Sequence, residues 1–249
     1  MGWSRSGGPA MKRFWDRADY AEVPGGFAIT LDGKPLRLPG VDGRAAGFTL
    51  PSRPLAEAVA GEWQQAGGGK GGEMSLDEVP LTRLAGTGLD RIAPDPGPTV
   101  EAIARYAETD LLCYRAEDRR LAALEAADWD PILDWCAACH GARLHPTSGI
   151  AYRRQDPEAL ERLHGVVAQH SPLELSALGL AVPALGSLVL GLALSAGALD
   201  PVAAHRLSIL DETYQEALWG EDAEALARRE RLAADVALSA RLLFLARTH

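Results

Sequence analysis

Between Leu175 and Leu199 the chain runs for 25 consecutive residues without a charged side chain. A stretch of that length has to be hidden from water, either in a bilayer or in a protein interior. Its composition argues for the interior. It is rich in Ala, Gly and Ser, carries Pro183 in its middle, and lacks the Lys/Arg asymmetry and aromatic belt that flank a membrane span. The reading is a pair of buried helices broken near Pro183, with no stable membrane insertion, so the second half of the chain needs a helical core.

The remainder of the 249 residues, 47% of them hydrophobic, is enough for one large domain or two small ones. A formal charge of −9, from 34 acidic and 25 basic residues with no long Lys/Arg run, argues against nucleic acid as a partner. Three cysteines, Cys113, Cys136 and Cys139, are too few and too odd in number for a disulfide framework, which points to a reducing compartment and so to the cytoplasm. The first ten residues carry no apolar signal core. A short match to the N-myristoylation pattern at Met1–Ser6 is the kind that arises by chance.

From Phe14 to about Leu50 the pattern is strand-like. Phe27–Leu31 alternates, Asp32-Gly33 is a favoured hairpin turn, and Pro35–Leu38 returns as an edge strand. At Ser52 the period changes. Ser52 can cap a helix on which Leu55, Val59 and Trp63 share one face, ending near Ala66. The glycine-rich run 67–72 lacks the Gly-Lys-Ser/Thr ending of a phosphate loop and is expected to be a floppy connection. Beyond Pro94–Pro98 the chain reads as helical, with Thr99, Asp130, Asp156, Ser171 and Asp200 as N-caps, the last four each followed by proline. A final helix is expected from about Asp222 to Ala246, with Ala225, Leu232, Ala233, Val236, Ala240 and Leu243 inward. The class is α+β: a loose tail over residues 1–12, a small β-rich domain with one helix over 13–90, and a larger all-helical domain over 91–249.

Catalytic signals are thin. Cys136-Ala137-Ala138-Cys139-His140 matches a c-type haem attachment pattern, but it falls on a helical apolar stripe with Trp129, Ile132 and Leu133, where cysteine serves as a small hydrophobe. A zinc site drawing on Cys136, Cys139, His140 and His145 is the chemical alternative, and would make the chain a zinc-dependent hydrolase. There is no Gly-x-Ser-x-Gly elbow, and the six histidines are scattered. An acidic group at Asp211, Glu212, Glu216, Glu221, Asp222 and Glu224 surrounds Trp219-Gly220. It reads as structural or partner-binding carboxylates, with Glu224 four residues ahead of Arg228 as a helical ion pair.

Several phrases together resemble the assembly chaperones for the alpha subunit of the ATP synthase catalytic head, known from mitochondria and alphaproteobacteria. They are Leu31-Asp32-Gly33-Lys34-Pro35, Pro51-Ser52 with Leu55-Ala56 and Glu62-Trp63, Pro80-Leu81-Thr82, Thr109 to Ala116, Trp129-Asp130-Pro131, and Asp211-Glu212 through Tyr214-Gln215 to Trp219-Gly220-Glu221-Asp222 and Glu224-Ala225. Val79 and the stretch Gly86–Asp90 depart from the family pattern. The resemblance implies a holdase for the free alpha subunit, with no reaction and no cofactor, monomeric when free, in the bacterial cytoplasm or its eukaryotic equivalent, the mitochondrial matrix. Under it, Glu212, Glu221 and Glu224 are the residues to pair with basic groups on the partner, and Trp63 serves as a partner contact or a packing anchor.

Overall fold

The computed structural model describes residues 11–39, 45–149, 152–220 and 222–248. Residues 1–10 of the expected tail lie outside them. The chain is α+β and divides into two compact units, one formed by the residues up to Pro94 together with Leu242–His249, the other by Asp95–Arg241.

The first unit is built on short strands. β1 (Met11–Lys12) pairs with the distant β8 (Glu73–Met74). β2 (Ala18–Val23), β3 (Gly26–Leu31) and β4 (Lys34–Pro35) form an antiparallel meander in which β7 (Thr49–Leu50) also pairs with β3. β5 (Arg37–Pro39) and β6 (Ala45–Gly47) make a separate two-stranded ribbon. The β3–β4 connection has Asp32 at φ 49° and Gly33 at φ 77°, the paired left-handed conformations of a two-residue hairpin loop. Asp32 adds to it by accepting the backbone N–H groups of Asp16 and Arg17 at 3.0 and 2.9 Å. Pro35 sits on β4, at the end of the strand order, where a missing N–H costs no ladder bond.

Helix α1 (Arg53–Gln65) starts at Ser52, whose hydroxyl accepts from Leu55 N, and buries Leu55, Ala56, Val59, Ala60 and Trp63. Helix α2 (Pro80–Gly86) follows after a 3₁₀ turn, Leu76–Glu78, and continues into a wider coil, Thr87–Ile92. The glycine-rich segment 67–72 differs from the floppy loop its composition suggests. Gly67 N donates to the Glu78 carboxylate at 2.8 Å, and Arg13 N and Gly71 N exchange bonds with Gly72 O and Arg13 O. Backbone pairing to a neighbouring strand overrides the entropy of the glycines here.

The second unit is helical: α3 (Gly97–Ala104), α4 (Arg119–His140), α5 (Pro157–Ala168), α6 (Pro172–Leu185), α7 (Leu188–Ser195), α8 (Pro201–Ser208), α9 (Leu210–Trp219) and α10 (Ala223–Arg247), whose last residues, from Leu242 on, count with the first unit. A parallel pair, β9 (Tyr114–Arg115) with β10 (Thr147–Ser148), is its only strand structure among the described residues. Asp156, Ser171 and Asp200 cap α5, α6 and α8 through their side chains.

Two expected caps are displaced. Asp130 lies inside α4, which begins eleven residues earlier behind the cap Asp118 and carries Pro131 within it. The Asp130 carboxylate is instead engaged with Arg115 at 2.6 Å. Thr99 falls inside the first turn of α3, which the proline-rich segment enters already helical at Pro96.

The uncharged stretch forms α6 and α7, both inside the core, and no helix among the described residues is long and apolar enough to cross a membrane. The break comes at Gly186-Ser187 and not at Pro183, which the last turn of α6 accommodates. Gly186 takes a left-handed φ of 64°, and Ser187 caps α7 through Leu190 N at 3.0 Å. The buried Asp110 carboxylate receives Leu112 N and Val189 N at 3.1 and 3.0 Å, fastening the start of α7 to the segment after α3. Gly191 lets α7 lie against α6 so closely that an added Cβ would stand 2.4 Å from Val182 Cγ2.

Candidate functional site

Trp63 is placed by the apolar face of α1 and is 3% exposed. Its indole N–H donates to Thr82 Oγ1 at 2.9 Å, its carbonyl accepts the indole N–H of Trp15 at 3.1 Å, and the two rings lie 5.2 Å apart. Glu62 beside it accepts Leu81 N and Thr82 N at 2.8 and 3.1 Å, binding the start of α2. Trp63 thus organises the interior of the first unit. A partner could touch the indole only by opening that core.

The acidic group falls elsewhere, at the corner between α9 and α10. Asp211 and Glu212 occupy the first turn of α9, where carboxylates favour the positive helix end. Glu212 pairs with Arg228 at 2.8 Å, and Glu216, one turn on, pairs with Arg229 at 2.6 Å. Arg228 therefore bridges to α9 and not along its own helix to Glu224. The Arg229–Glu216 pair is the more shielded, at 9% and 21% side-chain exposure, and shielding strengthens it relative to a surface pair.

Gly220, at φ 97°, ends α9 and turns the chain, its N–H returning to Glu216 O at 2.8 Å. Asp222 then starts α10, accepting Glu224 N on its carboxylate at 3.0 Å and Leu226 N on its carbonyl at 2.9 Å. Glu224 is exposed in that first turn. Glu221 lies outside the described residues.

The corner encloses an open groove of about 340 Å³ lined by Glu212, Glu216, Trp219, Asp222, Arg228 and Arg229, among others. Trp219, the last residue of α9, is 87% exposed, and Leu218 before it is 61% exposed. The sequence alone marks Trp219 only as a residue at a helix end; its exposure follows from where Gly220 turns the chain. Behind the groove, His205 on α8 is held below the usual histidine range by burial.

The cysteines are arranged differently. Cys136 is buried and Cys139 exposed on α4. Burial pushes the thiols of Cys136 and Cys113 up to about 12, the opposite of what a thiolate ligand or nucleophile requires. Burial also lowers the pKa of His140, whose ring meets Trp135 edge-on at 5.2 Å. Among the described residues no group of three or more His, Cys, Asp or Glu converges as a metal site.

A family model for the ATP12 chaperone protein matches residues 12–137. The chain is similar to "Protein atp12, mitochondrial" of Schizosaccharomyces pombe, at 25% identity over 231 residues covering 88% of this chain and 77% of that one. It is similar in structure to Atp12 from Paracoccus denitrificans, at 36% identity and a TM-score of 0.87 over 95% of this chain and 98% of that one. The Atu1473 protein of Agrobacterium tumefaciens gives the same identity and TM-score, over 95% of this chain and 87% of that one.

Proposed function

The chain belongs to the ATP12 chaperone protein family, and on that premise we propose that it is an assembly chaperone of the ATP synthase that holds the free alpha subunit of the catalytic head until beta takes its place. It works by binding and carries out no reaction, in the cytoplasm of a bacterium or the matrix of a mitochondrion, as a monomer when free. A subunit made before its mate exposes a large surface meant for burial, and such a surface aggregates unless covered. The observation that carries the reading, given the family, is the α9–α10 corner. There, charged side chains held in place by cross-helix ion pairs stand beside an almost fully exposed tryptophan, the mixture of aromatic anchor and fixed charge found at protein interfaces.

Glu212, Glu221 and Glu224 are the carboxylates proposed to meet basic groups of the alpha subunit, and Trp63 supports the fold from within. The sequence carries no phosphate-loop motif, so release follows from competition between two interfaces.

Co-expression of the chain with alpha and with beta, separately, tests the reading. Alpha is expected to stay in the supernatant and to co-purify at near-physiological salt, and the absence of binding to either subunit overturns the proposal. Within it, Glu224→Lys is expected to weaken alpha binding several-fold while leaving the circular dichroism unchanged. A folded variant that still protects alpha fully removes Glu224 from the contact.

A further inference from the structure

We propose that the α9–α10 groove is an arginine socket: it takes an arginine side chain of the protein client, stacked on the Trp219 indole and paired with Asp222, with an apolar neighbour of that arginine resting on Leu218. This rests on the reading of the chain as a chaperone for a protein client and goes further by naming what the groove recognises.

Trp15, Trp63 and Trp129 are all at most 3% exposed, whereas Trp219 stands 87% in solvent. A tryptophan offers some 150–250 Å² for burial, and leaving it in water forgoes that stabilisation unless another molecule covers it. The ring is also not on a loose tail. It closes a helix whose two ion pairs, Glu212–Arg228 and Glu216–Arg229, hold α9 to α10, so the surface is organised before anything arrives.

Charge selects the occupant. Among the described residues the lining holds three carboxylates and two arginines, and Arg228 and Arg229 already face Glu212 and Glu216 at 2.8 and 2.6 Å. Among the described residues, the carboxylate of Asp222 is engaged only with the backbone N–H of Glu224 in its own turn. An anion entering the groove meets Asp222 and finds the cations compensated, whereas a cation meets a carboxylate and the negative face of an indole. Arginine fits better than lysine, because its planar head stacks on a ring and offers a fork of N–H donors at the same time. An open groove of about 340 Å³ buries little of a small solute, so affinity has to come from a surface that continues beyond it.

The test uses the full chain and purified alpha subunit, comparing wild type with Trp219→Ala, Trp219→Phe and Asp222→Asn. Trp219→Ala is expected to weaken binding about tenfold or more, Asp222→Asn several-fold, and Trp219→Phe, which keeps a ring, less than Trp219→Ala. Acrylamide quenching, read as wild type minus Trp219→Phe, is expected to fall when alpha is added. If wild type binds alpha while Trp219→Ala binds equally well, or the ring stays open to quencher in the complex, the socket is overturned and the chaperone reading stands. If wild type fails to bind alpha at all, the chaperone reading falls and the socket falls with it.

Discussion

Asp110 is fully buried, and burial raises its pKa from 3.8 to about 6 even though Leu112, Leu188 and Val189 N–H groups and Ser187 oppose the shift. Its folded value is above its unfolded one, so between those two values the folded state binds more protons, and this group makes folding less favourable as pH rises. Wild type is therefore expected to gain stability relative to Asp110→Asn as pH falls from 7 to 5, since the asparagine does not titrate. Urea midpoints of both proteins at the two pH values check this, and parallel curves would contradict it. The depressed pKa values of His140 and His205 act in the opposite direction, but they are common to both proteins and cancel in the difference. Trp63→Ala removes a ring packed on Trp15 and leaves the Thr82 hydroxyl without the indole N–H it accepts. A cost of about 3–5 kcal/mol is expected from chemical denaturation.

At the scale of elements, α6 and α7 depend on a close approach at one position. Gly191→Ala places a methyl 2.4 Å from Val182 Cγ2. The expected cost is about 1–3 kcal/mol, recovered in part by adding Val182→Ala, as calorimetry would show. Much of this architecture is legible in the sequence where a cap or turn has local chemistry. Ser52, Asp156, Ser171 and Asp200 cap the helices as their side chains predict, and Asp32-Gly33 makes its hairpin. Thr99 is misread for a local reason, the helical entry at Pro96, while the other misreadings involve a partner distant in the sequence. Asp130 looks like a cap until Arg115 claims it, Pro183 looks like a break until Gly186 and Asp110 set one three residues later, and the 67–72 glycines look loose until Arg13 and Glu78 hold them. The acidic corner was visible as composition. Its ion pairs were not, because Arg228 chooses between a neighbour on its own helix and one across the turn, and only the packing of α9 decides.

At the scale of the whole molecule, the two units are unequal in their dependence on the sequence order. The second is one continuous stretch, Asp95–Arg241, while the first takes residues up to Pro94 and also Leu242–His249. Ser52 joins the two parts: its hydroxyl caps α1 and also donates to Leu245 O at 2.6 Å. Ser52→Ala is expected to cost about 1 kcal/mol or somewhat more for the lost cap and the stranded carbonyl. Deleting residues 242–249 removes the buried Leu242 and Leu243, worth about 1.5–3 kcal/mol each. Hydrogen exchange is expected to quicken in α1 while the α6–α7 amides keep their protection; equal loss in both places would contradict that division.

That divided first unit sets a timetable. A ribosome delivers the strands and α1 early, yet the residues that finish their surroundings emerge only after the entire helical unit has been made. The portion begun first is completed last, and closing so long a loop is slow as well as late. A member of a chaperone family must itself wait, half assembled, for residues 242–248 to close its first unit.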